Sequence, residues 1–366
     1  AANGWMWTRG PANSARNSAT SEAAENRWIS VSASLSVRKA SVRSTSRTSS
    51  GKCFLGFDKA AFIRRSRPAR SRRTPAEISW ASLRSGSESA VIVTYLTDKI
   101  DRDIINCGEN LKLIANFGAG FNNIDVAQAI KKGIWVTNTP GVLHETTADL
   151  TWAMILGAAR RIVPSDRFTR ENRFKGWQAK MFLGGDVYGK TLGIIGCGEI
   201  GQAVARRASG FNMRVLYCNR NRLPAEKEQQ LNAVYTPLEE LLRQSDFVTV
   251  HVPLTGQTQH MIGKEQFLMM KPTAYFIHTA RGKVVDDKAL VEALKEGEIA
   301  GAALDVYENE PALTEGMTQL ENLMLLPHIG SASHETRDRM ADLVADNVLD
   351  ALEGKTPRCL VPSWKE

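Results

Sequence analysis

Three short stretches near the end of the chain carry side chains suited to acid/base and anion chemistry: HTARGKVVD with Arg281, LDVYENEP with Glu310 and LPHIGSAS with His328. His328 follows a proline at the end of an apolar run, so it either fills a loop or transfers a proton. Each of the three falls just after a predicted strand, at the sheet edge where α/β proteins bind ligands. A carboxylate and a guanidinium at the same edge favour proton transfer for His328.

A glycine-rich turn precedes these stretches. GIIGCGEIGQAVARRA at 193–208 places the pattern G-x-G-x-x-G at Gly196, Gly198 and Gly201. Alone this pattern is a weak signal, but here it follows a predicted strand, opens a helix and lies within a βαβ unit. The three glycines permit a tight turn, the approach of a pyrophosphate to a helix N-terminus, and close packing of helix and strand. The stretch therefore predicts a dinucleotide site.

The end of the next strand indicates which dinucleotide binds. About 18 residues beyond Gly201 the chain reads Asn219, Arg220, Asn221, Arg222, without the Asp or Glu that commonly binds the ribose hydroxyls of NAD. Guanidinium groups suit a 2′-phosphate, to which arginine can bind with two hydrogen bonds. We therefore expect NADP(H) to be favoured, with NAD(H) possible and a solvated loop as the alternative interpretation.

The elements that must position these residues alternate between strand and helix. Short apolar runs such as VIVTYL, KTLGIIG, FVTVHVP and AYFIHTAR are separated by amphipathic patterns such as IGQAVARRA and DDKALVEALKEGE. A long helical pattern covers 144–162, and another closes the chain before Gly354. Buried strands between helices predict an α/β protein with a doubly wound parallel sheet of the Rossmann type.

The order of these motifs resembles the D-isomer-specific 2-hydroxyacid dehydrogenases, closest to the glyoxylate/hydroxypyruvate reductases, from about Ala90 to the C-terminus. The resemblance implies NAD(P)H-dependent reduction of a small 2-keto acid to the 2-hydroxy acid. It implies that His328 protonates the substrate carbonyl oxygen, that Glu310 orients the imidazole and favours its charged form, and that Arg281 binds the substrate carboxylate.

The resemblance also implies further contacts and a quaternary state. Substrate-binding residues besides Arg281 would be Ala119, Gly120 and Ser331. Cofactor-binding residues would be Gly196, Gly198, Glu199, Ile200, Gly201, Asn219, Arg220, Arg222, His251, Val252, Thr279, Asp305 and Gly330. No metal is expected, and a homodimer is implied.

The same resemblance predicts the domain organisation. A dinucleotide-binding domain at 144–329 would be inserted in a smaller flavodoxin-like substrate domain formed by 90–143 and 330–366. Residues 1–89 contain 19 serines and 13 arginines and have the length but not the pattern of the missing part of that domain, so we expect the substrate domain to be incomplete. This anomalous segment is interpreted as a targeting peptide, a tail that binds polyanions, or the product of out-of-frame translation, the last being favoured.

Composition narrows the function class. Residues 1–90 hold 16 Lys and Arg against 5 Asp and Glu, whereas the remainder holds 31 against 34, so the net charge of +8 arises entirely from the N-terminal quarter. The part expected to fold is therefore not expected to bind nucleic acid. Apolar runs are too short to cross a membrane, and five scattered cysteines fit a cytoplasmic protein. The alternatives are other dehydrogenases of this architecture, a nucleotide-sensing corepressor-like protein, or a basic nucleic-acid-binding arm.

Overall fold

The computed structural model describes residues 90–364, and the predictions for residues 1–89 lie outside this range. The described residues form two compact units. The smaller unit comprises 90–94, 98–115 and 125–136, and the larger unit comprises 95–97, 116–124 and 137–364. The predicted domain boundaries place 330–366 with the first part of the chain and stay a prediction.

The smaller unit contains most of three strands in the order β1-β2-β3, whose last one or two residues belong to the larger unit. These are β1 (Val91–Tyr95), β2 (Leu113–Phe117) and β3 (Trp135–Thr137), with helices α1 (Arg102–Cys107) and α2 (Val126–Lys131) between them. Each helix starts at an aspartate whose side chain accepts a backbone N–H, from Ile104 to Asp101 and from Gln128 to Asp125. These caps satisfy amide groups that a helix N-terminus leaves unpaired.

The larger unit contains a seven-stranded sheet with the order β10-β9-β8-β7-β4-β5-β6, and all its strand pairs are parallel. Its strands are β4 (Thr191–Ile195), β5 (Arg214–Cys218), β6 (Ala233–Tyr235), β7 (Phe247–Val250), β8 (Tyr275–His278), β9 (Gly301–Leu304) and β10 (Leu323–Leu325). Because β4 pairs with both β5 and β7, the strand order reverses beside β4. Ligands bind at such a switch point.

Helices cover both faces of this sheet. They are α3 (His144–Ala159), α4 (Ile162–Arg170), α5 (Glu199–Ala208), α6 (Ala225–Leu231), α7 (Leu238–Gln244), α8 (Lys264–Met269), α9 (Asp287–Glu296) and α10 (His334–Leu352). Neighbouring strand residues enter different cores: Phe276 packs with α7, α8 and α9, whereas Ile277 packs with α3 and α5. This alternation is the period of two that a parallel sheet buried on both faces requires.

Two local features differ from the sequence prediction. The helix predicted over 144–162 ends at Ala159, because Arg161 adopts a left-handed conformation (φ 51°) before α4 begins. The short edge strand β6 and helices α6 and α8 were not expected, since their three to seven residues are too few to show a clear period. In the described part of the chain, no helix has the length and apolar character that crossing a membrane demands.

Candidate active site

Arg281 lies three residues after the end of β8 and is half-buried at the carboxyl edge of the sheet. Its Nη1 donates to the Ala280 carbonyl at 2.6 Å, and its Nε donates to Asn122 Oδ1 at 3.1 Å. Burial lowers the pKa of Arg281, and the charge of Glu310 partly offsets this effect. An arginine stays charged even so, and a guanidinium withdrawn from water binds an anion strongly.

His328 and Glu310 form a hydrogen-bonded pair on two neighbouring loops. His328 Nδ1 lies 2.8 Å from Glu310 Oε2, and the Tyr307 amide donates to Glu310 Oε1 at 2.9 Å. Burial works to raise the pKa of Glu310, but the hydrogen bond from His328 and the charges of His328 and Arg281 outweigh it, so that the pKa lies below its usual value. The carboxylate is therefore ionised and holds one ring nitrogen, which leaves Nε2 as the nitrogen that can exchange a proton with a substrate.

Asp305 fixes the loop that carries His328. This buried residue follows β9, and its two carboxylate oxygens accept the Ile329 amide at 2.7 Å and the Gly330 amide at 2.8 Å. Burial raises the pKa of Asp305 even though these amides and the charge of His328 oppose the rise. The two bonds restrain His328 in its left-handed backbone conformation (φ 55°), which a histidine adopts only where its surroundings enforce it.

The predicted substrate loop also contacts Arg281. A Cβ atom at Gly120 would overlap the guanidinium of Arg281, so a larger residue there would require the arginine side chain to move. The Ala119 carbonyl accepts from Asn138 Nδ2 at 2.7 Å, and the Gly120 carbonyl accepts from Asn116 Nδ2 at 2.6 Å. The loop is thus held against the guanidinium. Ser331, the remaining predicted substrate residue, is half-buried two residues before the N-cap of α10.

The glycine turn between β4 and α5 has the shape that a dinucleotide requires. Gly196 has φ 95°, and a Cβ atom there would lie 2.8 Å from the backbone nitrogen of Val252. A Cβ atom at Gly201 would lie 2.3 Å from the Gly196 carbonyl oxygen, whereas no atom lies within 4 Å of one placed at Gly198. The open face at Gly198 meets the first turn of α5, where Glu199 and Ile200 lie. The residues present therefore fit a pyrophosphate at a helix N-terminus.

The polar side chains after β5 make contacts of two kinds, one with the glycine turn and one with a carboxylate on α6. Asn219 Oδ1 accepts the Cys197 amide at 2.6 Å and so supports the glycine turn, while Arg220 is exposed. Arg222 is paired with Glu228 through two bonds of 2.8 Å, from Nε to Oε1 and from Nη2 to Oε2. Of the two arginines predicted at the 2′-phosphate, one extends into solvent and the other is held by a carboxylate.

His251 directly follows β7, and Thr279 directly follows β8. His251 Nε2 contacts Thr249 Oγ1 at 2.9 Å, and His251 Nδ1 contacts Thr279 Oγ1 at 3.3 Å. Burial, and then the charge of His278, lowers the pKa of His251 to about 3. Burial likewise lowers the pKa of His278 to about 4, against bonds and charges that partly raise it. Both histidines are therefore neutral, and each has at least one hydrogen-bonded ring nitrogen.

Comparison with known proteins identifies the family. Residues 152–330 match the family model described as "D-isomer specific 2-hydroxyacid dehydrogenase, NAD binding domain". A glyoxylate reductase of Korarchaeum cryptofilum is 54% identical over 272 residues, covering 74% of this chain and 82% of that protein. The chain belongs to the D-isomer specific 2-hydroxyacid dehydrogenase family. The predicted family and enzyme class are confirmed, and this dehydrogenase is an oxidoreductase that uses a nicotinamide cofactor.

Solved structures agree with this membership. A glyoxylate reductase of Paecilomyes thermophila is 38% identical, with a TM-score of 0.72, covering 79% of this chain and 89% of that one. An NADPH-dependent glyoxylate/hydroxypyruvate reductase of Sinorhizobium meliloti, solved with NADP and malonate, is 32% identical, with a TM-score of 0.70, covering 79% and 88%. These matches confirm the Rossmann-type α/β fold and keto acid reduction by this dehydrogenase. They give no support to a corepressor-like alternative.

Several residues of this dehydrogenase that support the site were missed by sequence reasoning. The buried Asp287 accepts the Glu308 amide at 3.0 Å and the Thr314 hydroxyl at 3.2 Å, and so holds the loop that carries Glu310. In the sequence, Asp287 shows only the acidic character common in a first helical turn. Asn122 had a visible signal, since it lies in the same FGAGFNN stretch as the predicted substrate residues.

Proposed function

We propose that this dehydrogenase reduces glyoxylate or hydroxypyruvate to the corresponding 2-hydroxy acid, with NADPH as the favoured cofactor. The observation that carries the proposal is the pair formed by His328 and Glu310, on the sheet edge that also holds Arg281. This edge offers a proton donor, a carboxylate to orient it, and a guanidinium for the substrate carboxylate. Reduction of a 2-keto acid needs each of these groups.

The protein side chains would act in sequence. Arg281 would bind the substrate carboxylate, with the backbone amides of Ala119 and Gly120 on the same anion. His328 would give its Nε2 proton to the keto oxygen, while Glu310 holds Nδ1 and stabilises the protonated ring. A bound nicotinamide would supply the hydride for the keto carbon. Asp305 would keep His328 in place through the loop amides.

The cofactor would lie along the carboxyl edge of β4, β5, β7 and β8. The glycine turn with Gly196, Gly198 and Gly201 would receive the pyrophosphate at the start of α5, where Glu199 and Ile200 follow. Along the same edge, His251, Val252, Thr279, Asp305 and Gly330 would contact the dinucleotide. The preference for NADPH rests on Asn219, Arg220 and Arg222, because guanidinium groups bind a phosphate dianion and a carboxylate is missing at this place in the sequence.

A steady-state assay tests this function. With an N-terminal segment of the family type in place of residues 1–89, we expect the dehydrogenase to oxidise NADPH in the presence of glyoxylate or hydroxypyruvate. We expect Arg220→Ala combined with Arg222→Ala to raise the KM for NADPH much more than that for NADH. Arg243→Ala, which removes an exposed arginine of α7, should change neither value. Absence of keto acid-dependent NADPH oxidation would contradict the activity. An unchanged ratio of the two KM values in the double variant would contradict the NADPH preference.

The proposal includes a homodimer in the cytoplasm. The segment that follows α4 exposes large apolar side chains: Phe174, Trp177, Leu183 and Tyr188 are between 53% and 85% exposed. Such a stretch is suited to burial against a second copy of the chain. Light scattering after gel filtration should give twice the chain mass, and a monomer would contradict the proposed homodimer.

The proposed cytoplasmic location is supported by free thiols at Cys107, Cys197, Cys218 and Cys359, and cell fractionation tests it.

A further inference from the structure

The carboxylate of Glu228 on α6 binds three donors at once. Arg222 donates to it twice, at 2.8 Å from both Nε and Nη2, and the Tyr217 hydroxyl donates to Oε1. The same Tyr217 hydroxyl accepts the Leu223 amide at 2.9 Å. Glu228 is 13% exposed and Arg222 is 65% exposed, so the carboxylate is anchored in the protein while the guanidinium reaches into solvent.

This cluster is connected to the glycine turn. Gly196 N donates to the carbonyl of Cys218, the last residue of β5, at 2.9 Å, and Cys197 N donates to Asn219 at 2.6 Å. Arg222 follows Asn219 by three residues, so the loop that carries Arg222 begins at the glycine turn. A second contact limits the motion of the guanidinium, which lies 5.8 Å above the Tyr235 ring.

We propose that Glu228 is a positioning residue for cofactor specificity, which holds the Nε and Nη2 edge of Arg222 so that Nη1 stays available for the 2′-phosphate. The inference rests on the proposed preference for NADPH. An unrestrained arginine side chain loses rotamer freedom when it binds a phosphate, and a side chain already fixed by two bonds loses less. Because Arg222 neutralises the charge of Glu228 within the pair, the carboxylate repels a nearby phosphate only weakly.

Glutamine cannot replace Glu228 in this arrangement. The two carboxylate oxygens of Glu228 accept three hydrogen bonds, two from Arg222 and one from Tyr217. A glutamine offers one oxygen and places an NH₂ group against a further donor. Glu228→Gln therefore preserves the shape of the side chain and releases Arg222. Glu226→Gln, on the same helix but exposed, removes the same charge without touching Arg222 and serves as the matched control.

Isothermal titration calorimetry of the full chain with NADPH and, separately, with NADH tests the proposal. For Glu228→Gln we expect the Kd for NADPH to rise about fivefold, the upper range for an exposed ion pair, and that for NADH to change less than about twofold. Tyr217→Phe should shift NADPH in the same direction by a smaller factor. Glu226→Gln should leave both constants unchanged, and thermal unfolding should show that all variants are folded.

The outcomes separate this inference from the proposed function. If Arg222→Ala leaves the ratio of the two Kd values unchanged, the NADPH assignment at Arg222 and the role of Glu228 both fail. If Arg222→Ala weakens NADPH binding and Glu228→Gln does not, only the positioning role is overturned. Tighter NADPH binding by Glu228→Gln would overturn it as well, because the carboxylate would then compete with the phosphate for Arg222.

Discussion

Two of the histidine–glutamate pairs in the larger unit have nearly the same separation between nitrogen and oxygen. His328 Nδ1 lies 2.8 Å from Glu310, and His260 Nε2 lies 2.9 Å from Glu308. Both histidines have positive φ angles, 55° and 50°, and their side chains are 30% and 40% exposed. Distance, exposure and backbone conformation therefore do not distinguish a candidate catalytic pair from a structural one.

The surroundings of the two pairs differ. Glu310 receives the Tyr307 amide and the field of Arg281, and the loop of His328 is held by Asp305. His260 binds the Lys283 carbonyl through its backbone amide and lies in the loop between β7 and α8, away from a strand end. The chemistry proposed for the first pair therefore depends on a third charged group, Arg281, and on the restrained loop of His328.

Replacing the histidine of the first pair should have the largest effect. His328→Ala removes the proposed proton donor, and loss of a general acid typically lowers the rate by about 10²–10⁴-fold. NADPH binding, followed by fluorescence titration, should change little, because the residue lies beyond the glycine turn. Turnover close to that of the unchanged protein would remove His328 from the chemistry.

A conservative change tests Arg281, the charged group beside the His328–Glu310 pair. Arg281→Lys keeps the positive charge but loses the planar fork, and a lost charge-assisted bond of roughly 2–3 kcal/mol lowers kcat/KM for glyoxylate by about 30- to 150-fold. Most of the loss should appear in the KM for the keto acid. Lys283→Ala, at an exposed position two residues on, is the control and should leave kcat/KM unchanged. An unaffected KM in Arg281→Lys would separate Arg281 from the substrate carboxylate.

His328 and Arg281 could be identified as site residues from the sequence, and the reason is physical. Arg281, Glu310 and His328 follow strand ends, and the parallel topology brings the ends of β8, β9 and β10 to one edge. The sheet itself was predictable because buried parallel strands are continuous apolar runs. The site residues and the sheet could therefore be predicted from local sequence pattern and a small number of topological rules.

Contacts between loops of distant sequence position were not predictable. Glu308 meets both Asp287 and His260, which lie 21 and 48 residues away, and no local pattern encodes these distances. The pairing of Arg222 with Glu228 crosses from a loop to a helix and has no helical spacing. The end of α3 depends on the left-handed conformation of Arg161, a residue that continues the helical pattern in sequence.

The carboxylate of the first pair should control the pH dependence of reduction. Because the pKa of Glu310 is lowered, its charge is present throughout the neutral range and is lost only as the pH falls through that lowered value. In Glu310→Gln the charge is missing at every pH. We expect kcat to fall by about tenfold, the effect of roughly 1.4 kcal/mol, and the loss of rate at low pH that accompanies protonation of Glu310 to disappear. A pH profile unchanged in shape would contradict a role for the charge.

The smallest effect is expected at the second pair. His260→Ala removes the contact with Glu308 but leaves Asp287, which holds the Glu308 amide, and Tyr307, whose amide binds Glu310. Exposed ion pairs contribute about 0–1 kcal/mol, so the melting temperature should shift only slightly, and kcat/KM for glyoxylate should stay within about twofold. His260→Gln, which retains a hydrogen-bond donor, should match the unchanged protein. A loss approaching that of His328→Ala would overturn the comparison, because it would show that the loop between β7 and α8 positions Glu310 as strongly as Asp287 and Tyr307 do.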